Sequence, residues 1–277
     1  MKKITDFIIY GNILISLCAA ALIWETYLLW NIPVNFFCVF IGFAATLMIY
    51  NVDRLVVLDS IDQTGSERHE WIVKNRRLLT ILSATGFGFV GVSIFHMPIR
   101  CLLFLAHLGL ISILYSVPVL MKGARSLRSL KLLKIFLITY VWASTTVLLP
   151  AIWSEIGIFH KDIMLLFAER ALFIFAITLP FDIRDYDSDK SNLVVTIPGL
   201  IGIRQTRLLA FGCLLVFFLI NLVHYNFHDS VLWAKLLSGL NALLVIYFAH
   251  ERKHEYYYTG LLDSTMIIQF VLVLVLR

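Results

Sequence analysis

The sequence predicts an all-α integral membrane protein, a bundle of nine transmembrane helices in one domain over residues 1–277. Three observations carry that prediction. Hydrophobic residues fill 60% of the positions and charged residues only 15%, whereas a soluble domain carries about a quarter charged residues. Apolar runs of about 20 residues, the length that crosses a bilayer, recur along the whole chain. Basic residues concentrate in alternate breaks between those runs. The four cysteines stand far apart in or beside apolar runs, without metal-ligand spacing, and are read as core or lipid-facing thiols.

In chain order the runs place helices at about 5–30, 33–53, 78–96, 100–121, 134–153, 162–181, 206–225, 231–249 and 258–276. The first follows "MKK" and is too long for the apolar core of a signal peptide, with no small-residue cleavage site after it, so it is expected to remain as a helix. Short links near 31–33, 97–99, 154–161 and 226–230 alternate with longer charged ones near 54–77, 122–133, 182–205 and 250–257. The N-terminus supplies Lys2 and Lys3. The four longer loops and their flanks supply Arg54, Arg68, Lys74, Arg76 and Arg77; Lys122, Arg125, Arg128, Lys131 and Lys134; Arg184, Lys190, Arg204 and Arg207; and Arg252 and Lys253. These are 18 of the 23 Lys and Arg, and nine alternating helices put all of them on one side. The positive-inside rule makes that side cytoplasmic and the C-terminus external, with a bacterial inner membrane as the expected setting. The net charge of +5 then reflects topology and not a nucleic-acid partner.

Two loops on that face open with acids at the end of an apolar helix. In "LPFDIRDYDSDK", Asp182, Asp185 and Asp189 point in directions of about 0°, −60° and −20° around a continuing helix, one narrow face, while Asp187 points toward water. Three carboxylates so close resist joint ionisation unless a cation sits among them. Mg²⁺ is the natural one, because it binds hard oxygens and commonly bridges carboxylates to phosphate. Arg184 and Lys190 are then placed to neutralise phosphate charge. In "YNVDRLVVLDSID", Asn51, Asp59 and Asp62 lie at about 0°, 80° and 20°, with Arg54 near −60° and Asp53 turned away. Asn51, taken alone, also suits an interhelical hydrogen bond.

With these residues the chain resembles the UbiA superfamily of intramembrane prenyltransferases along its whole length. That family has nine transmembrane helices and two Asp-rich motifs, after the second and sixth helices. Its second motif, D-x-x-D-x-x-x-D, is matched by Asp182, Asp185 and Asp189, and "TIPGLIG" at 196–202 is similar to the segment that follows it. "YSVPVLMKGARSLRSLKLLK" resembles the family's tyrosine-plus-basic loop, which implies diphosphate or fold contacts for Tyr115, Lys122, Arg128 and Lys131. The first motif, N-D-x-x-D-x-x-x-D, is matched only at Asn51 and Asp59. Val52 and Leu55 stand where it has aspartates, with Asp53 and Asp62 as offset replacements.

The resemblance implies a central cavity open near the cytoplasmic face. It also implies Mg²⁺-dependent transfer of a prenyl group from a polyprenyl diphosphate to a lipophilic acceptor, with membrane lipid around it and no obligate protein partner. Asp182, Asp185 and Asp59 are the expected catalytic acids. Asn51, Asp59, Asp62, Asp182, Asp185 and Asp189 are the expected metal set. Diphosphate contacts are expected from Asn51, Arg54, Tyr115, Lys122, Arg128, Lys131, Arg184 and Lys190. The alternatives are a terpene cyclase using the same ionisation, a catalytically silent relative, or a transporter, although no internal repeat supports the last. Within the spans, Glu169 and Arg170 are expected to face the interior, with Asn12, Glu25 and Asn241 as weaker candidates for the same. Lys235 is expected to snorkel to the outer surface.

Overall fold

The computed structural model describes residues 2–58, 67–120, 127–191, 194–250 and 253–277, with the side chains of 57–58, 113–120 and 127–131 outside the description. Among the described residues the chain is helical throughout and has no strand. The first expected helix is a bent pair, α1 (Lys2–Tyr10) and α2 (Ile13–Leu29), whose axes meet at 59°. The bend sits at Asn12, which takes a left-handed conformation with φ of 60°. Next come α3 (Phe36–Leu58), a short α4 (Glu67–Lys74), α5 (Arg76–Ser93), α6 (Ile99–Leu120) and α7 (Leu127–Ala143). A π-helical turn at Ser144–Leu148 joins α7 to α8 (Leu149–Trp153). After α9 (Lys161–Arg184) come two short helices, α10 (Tyr186–Ser191) and α11 (Ile197–Ile201). Then α12 (Ile203–His224), α13 (Ser230–Tyr247), a π turn at Tyr257–Leu262 and α14 (Asp263–Leu276) complete the bundle.

Each of the nine expected segments falls on one of these helices or helix pairs. Among the described residues six are long and apolar enough to cross a membrane singly, and a seventh is so if the bent pair counts as one span. The protein is an integral membrane protein, and its outer surface suits lipid: Phe40, Phe87, Leu103, Leu219 and Leu274 are all exposed. Helices approach closely where side chains are small. A methyl group on Gly86 of α5 would lie 2.7 Å from the Ala44 carbonyl of α3, so only glycine lets these helices meet at this depth.

Backbone groups freed by breaks find partners across the bundle. Pro150 has no N–H to offer the Thr146 carbonyl four residues earlier, and Thr26 Oγ1 of α2 donates to that carbonyl at 2.6 Å. At the α1–α2 break, the Gly11 carbonyl accepts a hydrogen bond from Asn51 Nδ2 at 3.2 Å.

The two ends of the bundle differ in chemistry. At one end, Lys2 pairs with Glu67, and Arg68 and Arg184 both pair with Glu255, so the N-terminus and three of the four longer charged loops meet there as expected. At the other, Arg100 pairs with Glu155 at 2.5 Å, and Arg277 bonds to Asn31.

Between them lies a buried ion-pair network. Lys235 does not snorkel. It is fully buried, and its ammonium donates to Glu25 Oε1 at 2.6 Å and Glu169 Oε1 at 2.7 Å. Arg170 stands 3.3 Å from Glu25 Oε1 and donates to the Leu22 carbonyl, while Gln269 donates to the same Glu25 oxygen at 3.2 Å. Depth alone placed Lys235 near the surface; the helix face it occupies turns it inward, onto carboxylates of two other helices. Two acids and two bases cancel and tie α2, α9 and α13 together, and Gln269 adds α14. Glu169 stands 13 residues before Asp182, which puts the network about 20 Å along α9 from the acidic end.

Removing one partner of such a pair strands a charge. Lys235→Met is expected to cost about 3–5 kcal/mol, read as a lower Tm in detergent, and adding Glu169→Gln should recover part of the loss. A snorkelling lysine would show a change of only about 0.5 kcal/mol.

Candidate functional site

The charged end is built on the last turns of α3 and α9 and on the segment leading into α14. On α9, Pro180 is buried within the last turns, and the helix ends at Arg184. The hydrogen bonds nevertheless run on through Asp185: its N–H bonds to the Phe181 carbonyl at 3.1 Å, and its own carbonyl accepts from Asp189 at 2.8 Å. That near-continuous turn keeps the acids in helical register. Asp182 and Asp185 are half-buried, Asp189 is buried and Asp187 is exposed. The burial pattern follows the one-face reading of "DIRDYDSD".

Among the described residues Arg184 is a heavily engaged cation of the site. Its Nε and Nη2 donate to the two oxygens of Asp185 at 2.7 and 3.0 Å, a two-pronged pair. Its guanidinium also lies 5.3 Å from the Phe181 ring centre and 5.4 Å from that of Tyr258. Lys190 is exposed and stands 5.8 Å over the Tyr186 ring. Beyond α10, the "TIPGLIG" stretch forms α11 and turns at Gly202, whose φ of +86° favours glycine, before entering α12.

On α3, Asn51 is fully buried and its amide is spent on structure. Its Oδ1 accepts from Asn12 Nδ2 at 3.0 Å, and its Nδ2 donates to the Gly11 and Leu47 carbonyls. Arg54 is half-buried one turn later, and its Nε has no hydrogen-bond partner among the described residues. Asp59, Asp62 and Lys122 lie outside the described residues. Tyr115, Arg128 and Lys131 lie on α6 and α7, with side chains outside the description.

The donor chemistry of Asp182, Asp185 and Asp189 fits Mg²⁺, with hard carboxylate oxygens on successive turns. The arrangement is not assembled, however. Among the described residues no group of three His, Cys, Asp or Glu side chains is gathered to hold a metal. Both oxygens of Asp185 are taken by Arg184.

Residues not expected at the site complete it. Arg68 of α4 pairs with Glu255 in the segment before α14, and Tyr256 donates to Asp6 of α1. Burial and the Asp6 carboxylate push the Tyr256 phenol above its ordinary value, so it remains a donor. Tyr10 rests between Trp71 and Tyr256, with ring centres 5.7 and 5.6 Å away. Thus α4 lies strapped to α1 and to residues 254–256. In the sequence Arg68 counted only toward loop charge and Glu255 toward nothing, because no local spacing signals a pair 187 residues apart.

No protein-family model and no curated protein sequence matches this chain. Solved structures do. A UbiA homolog from Aeropyrum pernix K1 superposes with a TM-score of 0.68 at 16% identity, over 94% of this chain and 97% of that one. A digeranylgeranylglyceryl phosphate synthase superposes with a TM-score of 0.58 at 14% identity, over 100% and 99%. The chain has the UbiA fold. That fold covers the chain from end to end.

Asn51 gives a direct check on the site. Asn51→Asp keeps the acceptor for Asn12 but loses two donors and buries a charge. It is expected to lower metal-free stability by about 1–3 kcal/mol, measured as Tm in detergent with chelator present. An unchanged Tm would mean that the amide is not committed to these bonds.

Proposed function

We propose that the protein is a Mg²⁺-dependent intramembrane prenyltransferase that moves a prenyl group from a polyprenyl diphosphate to a lipophilic acceptor. One observation supports the reading: in a chain with the UbiA fold, Asp182, Asp185 and Asp189 of the D-x-x-D-x-x-x-D series follow one another from the end of α9 into α10, beside Arg184. One of the similar solved structures supports the reading, since it is named as a digeranylgeranylglyceryl phosphate synthase. In this reading nine crossings place the N-terminus and the charged end in the cytoplasm.

The chemistry follows from the charges. The allylic C–O bond breaks, the bonding pair leaves with pyrophosphate, and the allylic cation is taken up by the acceptor, which loses a proton. Arg184, Arg54 and Lys190 stabilise the charge that grows on the leaving group. Mg²⁺, held by Asp182, Asp185 and Asp189 with Asp59 and Asp62 as further donors, would neutralise the same charge. Arg184 pairs with Asp185 in the ligand-free protein; a diphosphate, with more charge and more oxygens, is a better partner for the guanidinium and would free Asp185 to serve as a metal ligand. The prenyl tail runs from there among the apolar helices, away from water.

The test is pyrophosphate release by purified protein from farnesyl and geranylgeranyl diphosphate, with and without Mg²⁺. Release is expected to need Mg²⁺ and to fall about 10²-fold or more in Asp182→Ala and Asp185→Ala, the scale of losing one charge-stabilising group. Product analysis separates transfer from cyclisation. No release at any chain length, with lipid extract supplied as acceptor, would contradict the proposal.

A further inference from the structure

Two arginines from distant parts of the chain face one carboxylate oxygen. Arg68 Nη1 pairs with Glu255 Oε1, and Arg184 Nη1 stands 3.9 Å from that same oxygen. Arg184 spends its Nε and Nη2 on Asp185, and its buried Nη1 makes no hydrogen bond among the described residues. Asp263, buried at the start of α14, lies within electrostatic range of both arginines. The side chains of Arg68, Arg184 and Glu255 are only 12%, 21% and 21% exposed, so solvent screens them weakly.

The place of Glu255 is fixed from several sides. Its carbonyl accepts from Thr259 Oγ1 at 3.0 Å, the next residue bonds to Asp6, and α4 is held by the Trp71–Tyr10–Tyr256 rings. Neighbouring guanidinium groups repel each other and need an anion between them. A carboxylate supplies one negative charge, and here it leaves Arg184 Nη1 beyond hydrogen-bond distance. A diphosphate supplies more charge and more acceptors, in the geometry that guanidinium forks match best.

We infer that Glu255 is a positioning residue, an internal anion that holds Arg68 and Arg184 together in the ligand-free protein, and that the diphosphate displaces it from between them. The inference rests on the proposed function and adds Arg68 to the diphosphate contacts. Glu255 is then a competitor. It keeps the cations preassembled, weakens the hold on pyrophosphate and so speeds departure of that product.

The experiment is equilibrium binding of inorganic pyrophosphate with Mg²⁺ to the full-length protein in detergent, alongside steady-state kinetics with geranylgeranyl diphosphate. Glu255→Gln keeps shape and removes charge; it is expected to tighten pyrophosphate binding by about five- to tenfold, the scale of one desolvated charge pair. KM for the prenyl diphosphate should fall with it, and kcat should not rise. Arg68→Gln should weaken binding by a similar factor. If Glu255→Gln does not fold, Glu255→Asp, which shortens the reach, should tighten binding by a smaller factor. Binding unchanged or weakened in a folded Glu255 variant, with the wild type binding normally, overturns this inference alone. No pyrophosphate binding by the wild type overturns the proposed site as well, and the inference with it.

Discussion

The bundle depends on keeping charge inside an apolar medium without leaving any of it alone. Lys235 sits between Glu25 and Glu169, with Arg170 and Gln269 completing the set, and all five side chains have no exposure. Each ion would be very costly in hydrocarbon by itself, and only the neutral set is tolerable. The requirement fixes more than stability. It sets the rotation of α2, α9 and α13 about their axes, since a helix turned by one residue would carry its charge away from its partners. Because α9 is one continuous helix, fixing it at Glu169 and Arg170 also aims Asp182 and Asp185 at the far end.

The charged end follows the same rule by softer means. Arg184 is matched by Asp185, Arg68 by Glu255 and Tyr256 by Asp6, so the ligand-free site compensates itself. In the proposed reading such a site would exchange internal partners for a diphosphate at modest cost, because Arg68 and Arg184 are already held side by side. It also accounts for the lack of a ready-made carboxylate cluster among the described residues: the acids are in register but engaged.

Much of this was legible in the sequence, for local reasons. Apolar length marked the helical segments, and alternate placement of Lys and Arg marked the end where the N-terminus and longer loops meet. Helical spacing separated Asp182, Asp185 and Asp189 from Asp187, and burial divides them the same way. What escaped depends on partners far along the chain. The inward face of Lys235 is decided by carboxylates 210 and 66 residues away. The bend at Asn12 is stabilised by Asn51 from the next helix, so the first apolar run looked like one helix. The strap of α4 over α1 needs Glu255 and Tyr256, which carry no motif. Asn51 shows the opposite hazard. It fits a family pattern by position, while its amide is committed to the α1–α2 break.

The central claim is that the end of α9 receives a diphosphate whose tail lies among the helices. The most direct measurement is an experimental structure with Mg²⁺ and a non-ionisable geranylgeranyl thiodiphosphate. The expected result is phosphate oxygens on the Arg184 guanidinium, Asp185 released from Arg184, and the prenyl chain running between the helices toward the Glu25–Lys235 network. A fully occupied analogue bound elsewhere, with Arg184 still paired to both oxygens of Asp185, would contradict it.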